Sequence, residues 1–430
     1  MDNIIIDNGQ YTLKYGYAHL KPKHVPNCVI RTSDRQFHLG SSLSTADSMS
    51  KLPTLSGLTF HRPINQGQCY QWNLEHQIWD NAFVNNGDDS GNGDFLIGKN
   101  LLYLESPVTL SKFQNMTDQI LFEEYGISSL VRSSGASMVP WMDEVEENSN
   151  DNNDTDSIDN KEENDNKGYK PFQLVIDAGF DATWVVPLVY GIPYYKAIRK
   201  MPIGGRLLNG YLREVISFRH YNVVEEPVLV DAIKCQTCYV AQNYDESIKR
   251  LTKLRQNNSA LLDSDMSLEY LLPDQKNDYL GKPLKGKLPA DGQSILLTDE
   301  RFLIPELLFH PQIAGIQKAG IIETLKDSLS AVPELLRPLL ANNVTCIGGT
   351  ANLKGFSGRI ARELDSEVPV EAKVRLCEYE MKDKTNFGWY SGRAFFEKGG
   401  YDTVKLTKEE YQEFGCEYSQ EKFGFKKISV

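Results

Sequence analysis

Two segments of the sequence place an aspartate and a glycine directly after a short apolar run. The runs span residues 3–6 and 172–176, and each leads through a turn into a second extended stretch, which is the pattern of a β-hairpin. A carboxylate at a strand end can hold Mg²⁺ or its waters, and a glycine turn leaves backbone N–H groups free to meet phosphate oxygens. The residues with this chemistry are Asp7, Gly9, Asp177 and Gly179.

A third segment begins in the same way. Residues 344–347 form an apolar run, Gly348, Gly349 and Thr350 follow it, and residues 356–364 have helical spacing. No regular period of about 20 to 50 residues links the three segments, which excludes a solenoid. The first two segments lie about 170 residues apart, and this pairing predicts two related halves.

The length and composition are compatible with a chain of two related halves. A chain of 430 residues predicts two to four domains, and 40% hydrophobic with 24% charged residues is typical of a globular protein. No window of about eighteen apolar residues and no signal-peptide pattern occurs, so we expect neither a membrane span nor secretion. The seven cysteines are scattered, which predicts free thiols, and Cys235 and Cys238 are predicted to be core thiols one helical turn apart.

The net charge of −12 is concentrated in one place. Residues 143–168 hold eleven acidic residues and two lysines, which leaves about −3 for the rest of the chain. This stretch is rich in Asn and Ser and almost free of apolar side chains, so it is predicted to be a disordered acidic insertion. It is either a solvated loop between two elements or an arm that binds basic proteins such as histones.

In chain order, the three segments resemble the first phosphate loop, the second phosphate loop and the adenosine motif of the actin family, and residues 116–123, 204–207 and 298–311 resemble actin in particular. The resemblance covers nearly the whole chain outside the acidic insertion. It implies an α/β, actin-like two-lobed fold in which each lobe is a mixed five-stranded sheet with flanking helices. Lobe one would take residues 1–171 and 375–430, and lobe two residues 172–374.

The resemblance also implies a degenerate nucleotide site. To Asp7, Gly9, Asp177 and Gly179 it adds further residues of the three motifs and one lysine between them. These are Asn8, Lys14, Thr183, Lys234, Gly348, Gly349 and Thr350. Asp7 and Asp177 would lie near a magnesium ion if ATP is bound, and no other metal site is expected. The alternatives are no nucleotide, a structural ATP with magnesium that is not hydrolysed, and ATP with weak turnover.

Several departures from actin argue against catalysis. Gln10 and Tyr11 stand where actin has a serine and a glycine, and Tyr11 would crowd a phosphate or turn outward as a packing residue. Asp181, in the second loop, would repel phosphate oxygens. The two positions that orient the attacking water in actin hold Gly135 and Trp184, neither of which accepts a proton. We therefore expect no catalytic residue and no enzyme activity.

Residues 58–80, 194–197 and 217–222 resemble one branch of the actin-related proteins, a subunit of SWR-type chromatin-remodelling complexes. This resemblance implies a scaffold in the nucleus, and also the cytoplasm, that links the remodeller motor subunit, a zinc-finger subunit and the nucleosome with its histones while a variant histone is exchanged. The alternative is a stand-alone actin-fold ATP-binding protein or a weak ATPase.

Two further stretches bear on self-assembly and on partners. Residues 33–57 stand where actin carries its self-association loop, and they hold few apolar side chains, so we expect no filament self-assembly. The C-terminal stretch is rich in aromatic residues that are either interface anchors or packed against lobe one. These residues are Tyr401, Tyr411, Phe414, Tyr418, Phe423 and Phe425.

Overall fold

The structure is a computed structural model. It describes residues 2–84, 95–143, 170–256, 261–262, 264–276, 278–368, 373–381 and 383–424. All of the predicted acidic insertion except Asp143, and also Phe425, lie outside the described residues. What the sequence predicts about them therefore stays a prediction.

The described residues form strands of two to seven residues. They are β1 (Asn3–Asn8), β2 (Thr12–Tyr17), β3 (Lys23–Pro26), β4 (Val29–Arg31), β5 (Phe37–Leu39), β6 (Thr59–His61), β7 (Ile64–Asn65), β8 (Gln68–Cys69), β9 (Asn100–Glu105), β10 (Ser129–Ser134), β11 (Phe172–Ala178), β12 (Thr183–Val189), β13 (Ile192–Pro193), β14 (Arg199–Met201), β15 (Leu268–Leu271), β16 (Lys282–Pro283), β17 (Ser294–Leu297), β18 (Val344–Ile347) and β19 (Leu406–Thr407).

The α-helices of the described residues are α1 (Ala46–Met49), α2 (Trp72–Val84), α3 (Ser111–Gln119), α4 (Gly135–Met138), α5 (Gly205–Arg219), α6 (Pro227–Thr237), α7 (Tyr244–Leu254), α8 (Glu300–Glu306), α9 (Ile321–Ser330), α10 (Arg337–Ala341), α11 (Phe356–Asp365), α12 (Phe387–Glu397), α13 (Gly400–Val404) and α14 (Lys408–Phe423). A π-helical turn, Ile120–Glu124, extends α3. Short 3-10 turns span Gly40–Leu43, Val139–Trp141, Tyr195–Ala197, Pro311–Ala314, Glu334–Leu336, Gly349–Asn352 and Lys384–Asn386.

The first sheet has six strands in the order β19-β10-β9-β1-β2-β3. The hairpin β1–β2 places Asp7 opposite Lys14, and β1 also pairs in parallel with β9. Nearly every residue of β9 is buried, as expected for an apolar strand covered on both faces. The α/β fold class is confirmed. The sheet has one strand more than the predicted five because β19 adds two residues at its edge.

The second sheet repeats this arrangement with five strands, in the order β13-β12-β11-β18 with β14 also paired to β12. Its hairpin β11–β12 places Asp177 opposite Trp184, and β11 pairs in parallel with β18. Both predicted hairpins are therefore present, each with an aspartate near the end of its first strand. We call the parts built on the two sheets the first lobe and the second lobe. The residue boundaries predicted for them stay a prediction.

Each lobe has its own core, and a further cluster joins them. The joining cluster holds Ala136 and Val139 from the first lobe and Val175 and Val186 from the second, all fully buried. After the second sheet the chain returns to the first, where a Cβ at Gly392 of α12 would lie 2.6 Å from Leu102. The joining cluster holds the two sheets against each other, and a cleft lies between the lobes.

The C-terminal aromatic residues pack mainly against the first lobe. Tyr401 and Tyr411 are 2% and 7% exposed, and the Tyr401 hydroxyl lies 2.9 Å from Ser129 Oγ. Tyr418 and Phe423 are partly buried against the same core. Phe414, with 54% of its surface exposed, is free for other contacts. Packing against the first lobe is thus what the structure shows for four of the residues.

Among the described residues, no helix combines the length and the apolar composition that a membrane span requires. No group of three or more His, Cys, Asp and Glu residues among them is arranged to hold a metal ion. All seven cysteines are free thiols, as the sequence predicts.

Candidate functional site

A cleft of about 1090 Å³ lies between the two lobes. The turns that end the two central hairpins line it, together with the turn that follows β18. The central strands β1 and β11 each carry an aspartate near the C-terminal end, and both carboxylates line the same cleft. The predicted site residues that line it are Asp7, Asn8, Gly9, Lys14, Asp177, Gly179, Lys234, Gly348, Gly349 and Thr350.

Thr183 is the predicted site residue that the structure places elsewhere. It is fully buried, and its Oγ1 donates a hydrogen bond to the backbone carbonyl of Ile203 at 2.9 Å. The first residue of β12 therefore stabilises the second lobe and does not line the cleft. The sequence pattern misplaces it because successive residues of a strand point to opposite faces.

The two aspartates of the cleft differ in their surroundings. Lys14 Nζ donates to Asp7 Oδ2 at 2.8 Å, across the register pair of the first hairpin. Burial, together with the charge of Asp7, raises the pKa of Asp177 to about 6. Lys14 relieves part of the repulsion between the two carboxylates, and a divalent ion between them would relieve more of it.

Glycine turns bring the backbone of the three motifs close together. Gly348 has φ 92°, and a Cβ there would lie 2.5 Å from the carbonyl oxygen of Ala178. Thr350 Oγ1 donates to the carbonyl of Gly179 at 2.7 Å, and the N–H of Gly205 reaches the same carbonyl at 3.2 Å. The third motif thus packs directly on the second turn, which only a residue without a side chain permits at position 348.

A group of side chains that the sequence did not predict to interact crosses the cleft. The Tyr11 hydroxyl donates to Asp231 Oδ2 at 2.5 Å, which joins the first-lobe turn to helix α6. The Tyr11 ring lies 4.7 Å from the Phe180 ring, and the Arg62 guanidinium lies 4.9 Å from the centroid of each. The departure at position 11 is visible in the sequence, but the contacts of Tyr11 with Asp231 and Phe180 are not. Tyr11 is a bridging residue rather than one that turns outward.

Asp181 has two hydrogen-bond partners that the sequence did not predict. Its Oδ2 accepts the backbone N–H of Gln66 at 2.6 Å, and its Oδ1 accepts from Arg206 at 3.0 Å. Asp181 also lines the cleft, and its repulsion of phosphate oxygens stays a prediction. The structure pairs this charge with a first-lobe amide and a second-lobe guanidinium, so Asp181 stabilises the contact between the lobes.

A family model described as Actin matches residues 1–424 of the chain. The chain belongs to the actin family. Among curated relatives, Actin-like protein ARP6 of Kluyveromyces lactis is 36% identical, and 98% of each chain is covered. Actin-like protein ARP6 of Saccharomyces cerevisiae is 37% identical with the same coverage. Actin-related protein 6 of Neurospora crassa is 30% identical over 98% of this chain and 94% of its own. The resemblance noted in the sequence is confirmed.

The actin fold typically binds a nucleotide with magnesium, and the first turn of this cleft fits its phosphates. Both polar atoms of the Gln10 amide are buried without a hydrogen-bond partner among the described residues. A phosphate oxygen would satisfy the amide nitrogen, which is costly to leave unpaired. Lys14 and the turns at Gly9 and Gly179 would hold the phosphates, and Asp7 with Asp177 the magnesium.

Another part of this actin-family cleft contains a lysine held by two hydrogen bonds and an exposed thiol. Lys234 Nζ donates to Asn209 Oδ1 at 2.6 Å and to Asp231 Oδ1 at 2.7 Å. Cys238 is 8% exposed at the end of α6, but Cys235 is exposed and lines the cleft. The prediction of two core thiols is wrong for Cys235, because α6 turns that residue toward the cleft.

The sequence resemblance assigns the two water-orienting positions of actin to Gly135 and Trp184, neither of which accepts a proton. Gly135 and Trp184 both line the cleft, and the Trp184 ring lies under Lys200 Nζ at 5.1 Å. Glu105 also lines it, and burial raises its pKa to about 7. Its Oε1, however, accepts from Gln114 at 2.8 Å and lies 3.5 Å from Arg132 Nε. This carboxylate is therefore held by the first lobe.

Glu75, which lies beneath the first turn, is one of the buried carboxyls, with Asp177 and Glu105, that should make the stability depend on pH. It is fully buried on α2, and Asn27 Nδ2 donates to its Oε1 at 3.4 Å while also bonding Asn8. Burial raises the pKa of Glu75 from 4.5 to about 7. Between these values the folded state binds more protons than the unfolded state. The free energy of unfolding therefore falls as the pH rises from about 4.5 to 7.

The Glu75→Gln variant is expected to lose up to about 3 kcal/mol of this pH dependence, because a neutral amide has no proton to release. Urea unfolding of both proteins at pH 5 and pH 8 measures the difference. Glu413→Gln, at an exposed position of α14, is the matched control. Equal pH slopes for the two variants would contradict the assignment.

Proposed function

We propose that this actin-family protein is a non-catalytic scaffold subunit of a SWR-type chromatin-remodelling complex. In this role it links the motor subunit and a zinc-finger subunit to each other and to the nucleosome, where a variant histone is exchanged, and it acts in the nucleus. Its relatives named Actin-like protein ARP6 match over nearly their full length, in agreement with the sequence stretches that resemble that branch.

The cleft carries this proposal. It has the turns, lysine and carboxylates of an actin-family site, yet Gly135 and Trp184 occupy the positions that would orient a water. Phosphoryl transfer depends on such positioning, so a site without it can bind without turning over. A protein that retains the fold but not the hydrolytic groups is suited to assembly.

Large apolar side chains on the surface support a binding role. Phe218 at the end of α5 is 91% exposed and Leu335 is 88% exposed. Tyr221 and Phe414 each have about half of their surface exposed. Aromatic residues with polar surroundings are the usual anchors of protein interfaces. A partner that covers these side chains would bury surface that is otherwise in water.

The structure also supports the absence of filament self-assembly. Phe37 in the segment that replaces actin's self-association loop is 64% exposed, but Met49, Leu52 and Leu55 are at most 8% exposed. They pack within this chain, against Val228, Tyr279 and Leu280 of the second lobe among others. Side chains used in this way are not available to a neighbouring copy.

Affinity purification of the tagged protein from nuclear extract, followed by mass spectrometry, tests the proposal. We expect the motor and zinc-finger subunits to copurify, and extract depleted of the protein to lose exchange of the variant histone. Adding back the intact subcomplex is the control and should restore exchange. Recovery as a lone monomer, with exchange unaffected by depletion, would contradict the scaffold role.

A stand-alone ATP-binding protein or weak ATPase is the second candidate, favoured by the unpaired Gln10 amide and the Asp7–Lys14 pair in the cleft. Denaturing the purified protein and assaying the supernatant for ATP or ADP tests nucleotide binding. Bound nucleotide in equal molar amount is compatible with both functions. Copurifying partners and turnover distinguish them.

A further inference from the structure

The tips of the two lobes touch through an apolar contact. Met49, Leu52 and Leu55 are buried in a cluster that includes Val228, Tyr279 and Leu280 of the second lobe. Beside it, the backbone N–H of Gly57 donates to the carbonyl of Glu225 at 2.7 Å. This contact consists of protein groups alone and joins the two sides of the cleft at its outer end.

A second contact crosses the cleft nearer its floor. Tyr11 donates to Asp231, which also accepts from Lys234 at 2.7 Å and from Asn209 at 2.8 Å. The Tyr11 ring is packed against Phe180 and under the Arg62 guanidinium. A hydrogen bond to a carboxylate that is held by two further donors has little freedom to rearrange, so the bond fixes the distance between the first turn and α6.

Neither contact needs a ligand, yet both oppose opening of the cleft. Separating the lobes would expose the apolar side chains of the first contact to water and would break the charge-assisted bond of the second. Tyr11 and Asp231 both line the cleft and are joined at 2.5 Å, so their bond links its two walls at this point. Opening the cleft wider for a large ligand would require that both contacts break.

We propose that these two contacts form a latch that holds the lobes closed without a ligand and controls access of a nucleoside polyphosphate to the cleft. The latch is independent of the chromatin role, since it concerns contacts within one chain. Closure that does not depend on a nucleotide would give partners a constant surface whether or not the cleft is filled.

Hydrogen exchange of the full-length, nucleotide-stripped protein tests whether the lobes stay closed without a ligand. In the wild type, the Gly57 amide is expected to stay protected. In Tyr11→Phe, which keeps the ring but loses the bond, it should exchange about tenfold faster or more, because loss of one contact weakens the other. Tyr279→Ser, which removes one of the three second-lobe side chains of the apolar contact, should act in the same direction.

The matched control is Tyr221→Phe, an exposed tyrosine of the second lobe. Equal exchange at Gly57 in Tyr11→Phe and Tyr221→Phe would overturn the latch, since the hydroxyl would then contribute nothing to closure. So would a wild-type Gly57 amide that becomes protected only when nucleotide is added. Unchanged far-UV circular dichroism shows that each variant is folded, and Tyr279→Ser decides the matter if Tyr11→Phe does not fold.

Binding of the fluorescent probe ethenoadenosine triphosphate with Mg²⁺ tests whether the latch controls access to the cleft. Association and release of the probe are expected to be about tenfold faster in Tyr11→Phe than in the wild type or Tyr221→Phe. Equal rates in all three proteins would overturn control of access. Failure of the probe to bind Tyr11→Phe would overturn it as well, because an open cleft should admit the probe.

Discussion

Purified protein is expected to release no phosphate from ATP above background in a steady-state assay. Gly135 and Trp184 line the cleft where a water would have to be oriented, and neither side chain accepts a proton. Glu105, the nearby carboxylate with a raised pKa, is held by Gln114 and Arg132. Loss of the positioning groups should lower turnover on the order of 10³-fold or more relative to a competent site.

The control for this measurement is Asp177→Ala, which removes a carboxylate placed to hold magnesium. Any phosphate release that persists unchanged in this variant comes from a contaminating ATPase. Release of phosphate by the wild type at an actin-like rate, abolished by Asp177→Ala, would contradict the absence of catalysis. It would favour the ATPase over the scaffold as the function. A labelled-nucleotide binding assay on the same samples separates failure to bind from failure to hydrolyse.

Arg359→Met is expected to lower the free energy of unfolding by about 3 to 5 kcal/mol, because it leaves the Glu306 carboxylate buried without its partner. Arg359 on α11 is 2% exposed and forms a bidentate pair with Glu306, one bond of which measures 2.7 Å. It also bonds Glu363 at 2.7 Å and packs over Phe309 at 4.1 Å. Urea unfolding at pH 7 measures the loss.

Arg362→Met is the matched control, since this arginine lies on the same helix, is half exposed and lies 3.4 Å from Glu363. Its effect should stay within about 0.5 kcal/mol. The double variant Arg359→Met/Glu306→Leu should recover part of the loss, because no charge is then left buried. Similar losses for Arg359→Met and Arg362→Met would show that burial of the pair contributes little.

Local patterns in the sequence were enough to place the parts of the site. Apolar runs that end in aspartate and glycine predict the hairpins β1–β2 and β11–β12, because turn residues and alternation are properties of neighbouring residues. Their order along the chain carried the resemblance to the actin family. The cleft-lining positions of Asp7, Lys14 and Asp177 follow from those hairpins once the lobes face each other.

The tertiary structure alone decided which side chains meet across the cleft. Tyr11 and Asp231 are 220 residues apart, and no local pattern pairs them. The same holds for Asp181 with Gln66, whose hydrogen bond is a contact between the lobes. Thr183 faces a core and Cys235 faces the cleft, contrary to expectation, because the packing of the strand or helix determines which face is covered. Periodicity tells how side chains alternate on an element, whereas contact between distant elements depends on how the two lobes pack.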